Sequence, residues 1–174
     1  MNDKLKYIYD DIYRWLIFAE AKNTGFLAVV GFIIDFLLKE KEKLLLYFDF
    51  FFYIFFVWSL FILLILIGSF IPFLNQRQFI SNYAYKSYKR LLSDNQIFYI
   101  NIFLIDYGKP NNRTVEDLLG ISNNAVITDF DSSLVTQIKE TARVTTIKYT
   151  LFNFAIKNFF FMCFFYLINI VLCA

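Results

Sequence analysis

Histidine is absent from this chain, and cysteine is confined to Cys163 and Cys173. The first absence removes the commonest general base and the commonest metal ligand, so a catalytic triad and a zinc site are both without their usual central residue. The two cysteines lie in an apolar segment and read as small packing residues with no redox role. No glycine-rich phosphate loop occurs, and no serine or cysteine has a histidine to activate it. The expectation is a protein with no catalytic residues, no metal and no cofactor. Charge of one sign is also scarce. A formal net charge of +2 over 174 residues provides no basic stripe of the kind that neutralises several phosphates, which argues against nucleic acid as a partner.

Apolar residues make up 59% of the chain and aromatic ones 22%, and their distribution decides the class. After Asp49, the run "FFFYIFFVWSLFILLILIGSFIPFL" reaches Leu74 without a charge. At about 1.5 Å per residue that length exceeds a hydrocarbon core roughly 30 Å thick. A soluble domain of this size rarely needs a helix apolar on every side, so the segment reads as a membrane span. The protein is expected to be mainly α, an integral membrane protein with three transmembrane helices and a small, mostly helical cytoplasmic segment that includes a short extended stretch.

The N-terminal residues 1–23 mix acids and bases and lack the apolar core of a cleaved leader. Leu5, Ile8, Ile12, Trp15, Leu16 and Ala19 follow helical spacing, which predicts an amphipathic helix continuing into a first span at 24–38. That segment is short for a span and reaches across if Ile17 to Ala21 also enter the lipid while Lys22 stretches back to the headgroups. Asp35 inside the span is open to two readings, an ion path or a pair with Lys39 one turn on; the i,i+4 pair is the simpler. Residues 39–47 are expected to form a short extracytoplasmic turn, 48–74 the second span, 75–150 a cytoplasmic segment and 151–173 the third span. Lys and Arg crowd the segment between the second and third spans, which places it and the N-terminus in the cytoplasm.

Within that segment, residues 76–94 are predicted to be helical and to continue the second span past Pro72. "NQIFYINIFLIDYGKPNN" is read as a short extended stretch followed by a turn, from its Ile, Phe and Tyr content and its Gly108 and Pro110. "RTVEDLLG" reads as one or two helical turns with Thr114 as N-cap and Gly120 as stop. From Asp131 or Ser132 an unbroken helix is predicted to run directly into the third span. Asp129 and Asp131 suit capping and dipole stabilisation of that helix better than acid/base work. Tyr83, Tyr85 and Tyr88 suit packing in a small helical domain better than stacking on a base.

Lys22 and Lys148 stand at the feet of the first and third spans, and the expected topology brings both ammonium groups to one depth. Gln137, Thr141, Thr145 and Lys148, spaced by four, four and three, share a helix face that suits a small anion such as a cyclic phosphate. Arg143 lies off that face yet has a planar fork for phosphate oxygens, and Glu20 can accept hydrogen bonds from a base or sugar. Taken singly, the lysines read equally as snorkelling anchors and the threonines as a helix-packing surface.

Three blocks carry a resemblance. "FAEAKNTGFLAVVGFII" resembles the opening of the transmembrane effectors of bacterial Pycsar anti-phage systems; "QIFYINIFLIDYGKPNNRTVEDLLG" and "LVTQIKETARVTTIKYTLFNFAIK" are similar to that family's two later blocks. The sequence departs from the family at Asn23, where a small residue is usual, and at Glu20, where aspartate is more typical. The resemblance implies an effector that senses cyclic UMP or cyclic CMP made by a partner pyrimidine nucleotide cyclase during phage infection. It further implies that the effector then impairs the bacterial inner membrane, in abortive infection. Glu20, Lys22, Gln137 and Lys148 match the family's motif positions. Three thin spans cannot enclose a water-filled path alone, so a homo-oligomer in the lipid bilayer is expected. The rival readings are a passive membrane scaffold or small channel subunit without a nucleotide ligand, and, less favoured, a membrane enzyme.

Overall fold

The computed structural model describes residues 2–70, 77–88, 99–108, 115 and 129–173, with side chains described except at 2, 41–50, 77–80, 129–130 and 169–173. Five helices follow in order: α1 (Asn2–Lys39), α2 (Lys41–Gly68), α3 (Arg77–Tyr88), α4 (Tyr99–Gly108) and α5 (Asp129–Cys173). No strand occurs among the described residues. Three helices, α1, α2 and α5, are long and apolar enough to cross a membrane. The mainly α membrane architecture expected from the sequence is therefore present.

Residues Met1–Ala19 and Phe73–Thr150 form one compact unit; Glu20–Pro72 and Leu151–Ala174 form the other. The first unit has a buried hydrophobic core of its own. Leu5, Ile8 and Ile12 of α1 are buried with Tyr99, Ile102 and Ile105 of α4, Val115, and Leu134, Val135, Ile138 and Ala142 of α5. A second cluster joins Ala84 of α3 to Phe103 and Leu104 of α4, with Tyr85, Tyr88 and Tyr107 packed on it. The Tyr107 hydroxyl donates to Asn82 Oδ1 at 2.7 Å and ties α4 to α3.

Helix α4 corrects the extended stretch read over "IFYINIFLI". A short run of aromatic and β-branched residues with no polar face gives no periodicity to choose helix from strand. Its environment makes the choice. Tyr99, Ile102 and Ile105, three apart, enter the cluster with α1 and α5, while Phe103 and Leu104 enter the one with α3, so a helix buries both sides at once. The predicted turn at 39–47 also contracts. Helix α1 ends at Lys39, Glu40 alone departs from helix, and α2 begins at Lys41, because "KEKLLL" contains only good helix formers. The helix read over "RTVEDLLG", its cap and stop at Thr114 and Gly120, and the passage through Pro72 lie outside the described residues, Val115 excepted.

In the second unit, α2 and α5 run antiparallel. Phe51 meets Phe165 at 6.3 Å and Trp58 meets Phe161 at 5.4 Å between ring centroids, while Ser59 Oγ donates to Met162 Sδ at 3.4 Å. Helix α1 joins through Phe26, whose ring lies edge-on to Phe152 and Phe159 at 5.9 and 5.3 Å. Val30, Phe55, Ile62, Leu66, Ala155 and Met162 fill the centre. The outward residues are apolar too, Phe32, Val57, Leu64 and Phe164 among them, as a lipid-facing surface requires. Lys39 Nζ donates to Asp35 Oδ2 at 2.7 Å, so the i,i+4 pair is formed.

Candidate functional site

The seven candidate residues fall into the two units. Glu20 and Lys22 belong to the second, and Gln137, Thr141, Arg143, Thr145 and Lys148 to the first.

Glu20 and Lys22 are both half-buried on α1. The Lys22 ammonium lies 5.9 Å from the centroid of the Phe152 ring, a cation–π distance that holds it beside the start of α5's apolar segment. Between them and the first apolar turn stands Asn23, which is fully buried, and neither its carboxamide oxygen nor its nitrogen has a hydrogen-bond partner among the described residues. Such an orphan amide costs about 1–3 kcal/mol, and it is the residue here that sequence reading missed. The signal was present: Leu5, Ile8, Ile12, Ala19, Asn23 and Val30 are all buried on α1, at three- and four-residue steps apart from the two sevens, Ile12 to Ala19 and Asn23 to Val30, which half-buried Trp15 and Phe26 bridge.

On α5 the predicted face runs from water into the core. Gln137 is exposed, Thr141 and Lys148 are half-buried, and Thr145 is fully buried. The Thr145 hydroxyl donates to the Thr141 carbonyl at 2.7 Å, and Thr146 and Thr150 do the same to Ala142 and Thr146 at 2.8 Å. Thr145 therefore has its proton engaged within the helix, which leaves only its oxygen lone pairs for anything else. Arg143 is different. It is half-buried, and its Nε is buried with no acceptor among the described residues, so part of a permanently charged fork faces the protein interior unmatched.

An aromatic cluster lies on the same stretch of α5. Tyr149 stacks on Tyr99 at 5.6 Å, and Trp15 lies 5.9 Å from Tyr99 and 6.5 Å from Tyr149. Burial, reinforced by Tyr149 and Tyr88, pushes the Tyr99 phenol well up, so it remains a neutral packing group. Tyr85 and Tyr88 are likewise half-buried against Phe103 and Leu104, in the packing role expected of them, while Tyr83 is exposed. Asp131 is buried in the first turn of α5, where a carboxylate is favoured by the helix dipole. No group of three or more His, Cys, Asp or Glu residues that could hold a metal ion occurs among the described residues.

A family model described as the Pycsar effector protein domain, PycTM, matches residues 4–174. No curated protein and no solved structure matches the chain.

Proposed function

The chain belongs to the Pycsar effector family, an anti-phage defence effector of the membrane, and from that premise we propose that it senses a cyclic pyrimidine mononucleotide and impairs the inner membrane in response. The ligand is cyclic UMP or cyclic CMP, supplied on the cytoplasmic side by a partner pyrimidine nucleotide cyclase. Its recognition residues are drawn from the candidates Glu20, Lys22, Gln137, Thr141, Arg143, Thr145 and Lys148. Arg143 and Lys148 meet the phosphate, while Gln137 reads the sugar or base. The chain acts by binding and motion, without an enzymatic step.

The observation that supports this reading best is the continuity of α5. Gln137 to Lys148 stand on a helix that continues without a break to Cys173 and is apolar enough to span the membrane. A rigid rod that carries a cation, an amide and hydroxyls at one end and a membrane segment at the other converts a local preference into movement in the lipid. Arg143 adds to it, since an anion supplies the acceptor that its buried Nε lacks among the described residues. Only a ligand that binds the active arrangement better than the resting one can drive the change.

The test is a thermal shift of the detergent-solubilised protein with cyclic UMP, cyclic CMP and cyclic purine nucleotides. Selective stabilisation by a pyrimidine ligand is expected, since binding to the folded form alone raises its stability. A flat response to all of them favours a scaffold or channel subunit without a nucleotide ligand.

A further inference from the structure

Helix α2 and helix α5 leave an open groove of about 600 Å³ on the surface of the second unit, lined by Tyr53, Ile54, Val57, Trp58 and Phe61 of α2 and by Asn158 of α5. Asn158 Nδ2 donates to the Phe154 carbonyl at 2.8 Å, which leaves the carboxamide oxygen as an acceptor in the groove. Hydrocarbon offers that oxygen no donor.

A different face of α5 bears a stripe. Asn153, Lys157, Phe160, Phe164 and Leu167 are all exposed and are spaced by four, three, four and three, the spacing of a helix-packing seam. Phe160, Phe164 and Leu167 are 67%, 61% and 59% exposed. At about 100° per residue they lie roughly 180–240° around the helix from Asn158, so groove and stripe point in different directions. Lys157 makes no ion pair among the described residues, although it sits inside a membrane-spanning helix.

We propose that the stripe of one copy docks in the groove of the next, so that copies of this chain assemble head to tail into a closed ring. A contact between two different faces is heterologous, and it closes when the rotation per copy divides the circle. Rotation about the membrane normal keeps every residue at its own depth, which requires groove and stripe to lie at one level. They do. The Trp58–Phe161 and Ser59–Met162 contacts set Phe160 and Phe164 at the height of Val57 to Phe61.

Chemistry selects a second copy over an acyl chain as the occupant. The stripe delivers the Lys157 ammonium to the Asn158 end of the groove, where the amide oxygen accepts a hydrogen bond and the Phe61 and Trp58 rings supply cation–π partners. Phe160 and Phe164 fill the apolar remainder. An acyl chain fills the same space but leaves the oxygen without a donor and the cation without a partner, which is costly in lipid. The assembly is independent of which ligand the first unit recognises.

Disulfide crosslinking of the full chain in membranes tests this, in a background with Cys163→Ala and Cys173→Ala. With Val57→Cys and Phe164→Cys on one chain, oxidation is expected to give a ladder of dimers, trimers and larger species. The two single variants co-expressed should stop at dimers, and each alone should stay monomeric. Lys157→Leu should lower the ladder's yield by about threefold, the scale of an interhelical hydrogen bond in a membrane. Self-crosslinking of Val57→Cys alone overturns the head-to-tail geometry. No crosslink in a double variant inserted at the parent level overturns the assembly and gives the groove to lipid. If that pair fails to insert, Phe61→Cys with Phe160→Cys is read in the same way.

Discussion

Asn23 is the side chain whose cost is plainest. It sits fully buried with neither amide atom partnered among the described residues. Asn23→Ala removes about 1–3 kcal/mol of unsatisfied polar burial and gives back only a small volume of packing. The apparent melting temperature in detergent is therefore expected to hold or rise; a marked fall would mean that the amide has a partner in the membrane. Lys148 and Arg143 carry the opposite expectation. Alanine at either position should weaken the nucleotide-induced thermal shift about tenfold in ligand concentration, the scale of one lost hydrogen bond to a charged group, with membrane insertion intact. An unchanged response would return Lys148 to the role of a headgroup anchor. Asp35 and Lys39 form a bridge with side chains 55% and 71% exposed, so Asp35→Asn should cost no more than about 0.5 kcal/mol. Loss of membrane activity in that variant at unchanged stability would restore the ion-path reading of Asp35.

At the scale of elements, the long helices were legible because each has a periodic apolar face or an unbroken apolar run, and both signals survive without knowledge of the partners. Helix α4 was not, since a ten-residue segment buried against α1 and α5 on one side and α3 on the other has no face for the sequence to mark. The candidate site was half legible for a related reason. Spacing placed Gln137, Thr141, Thr145 and Lys148 on one face, but only the packing of α5 shows that this face sinks from exposed Gln137 to fully buried Thr145. Gly108 illustrates how α4 is held. A Cβ there would run into the Tyr85 ring, which also packs on Tyr107 at 5.8 Å. Gly108→Ala should destabilise the first unit by about 1–3 kcal/mol, as overpacking does. Combined with Tyr85→Ala it should add almost nothing to the loss from Tyr85→Ala alone, a coupling that a double-mutant cycle of melting temperatures measures. Helix α5 has its own test. Two glycines inserted between Thr150 and Leu151 interrupt a rod that is otherwise continuous from Asp129 to Cys173. The nucleotide-induced thermal shift should persist while membrane damage in cells is lost.

Across the whole molecule, both units pack aliphatic side chains together with ring-on-ring contacts, and the second also carries apolar residues on its outward faces, as packing within lipid requires. Membership of the Pycsar effector family places this combination in anti-phage defence. The proposed mechanism is that a cyclic pyrimidine nucleotide bound by the first unit opens the membrane through the second. Its most direct measurement is dye release from liposomes containing only the purified protein, with nucleotide added to the face that displays the first unit. Release on addition of cyclic UMP or cyclic CMP, and none with cyclic purine nucleotides or with Lys148→Ala, is the expected result. Release that is the same with and without nucleotide, or none under any condition from correctly inserted protein, would contradict it.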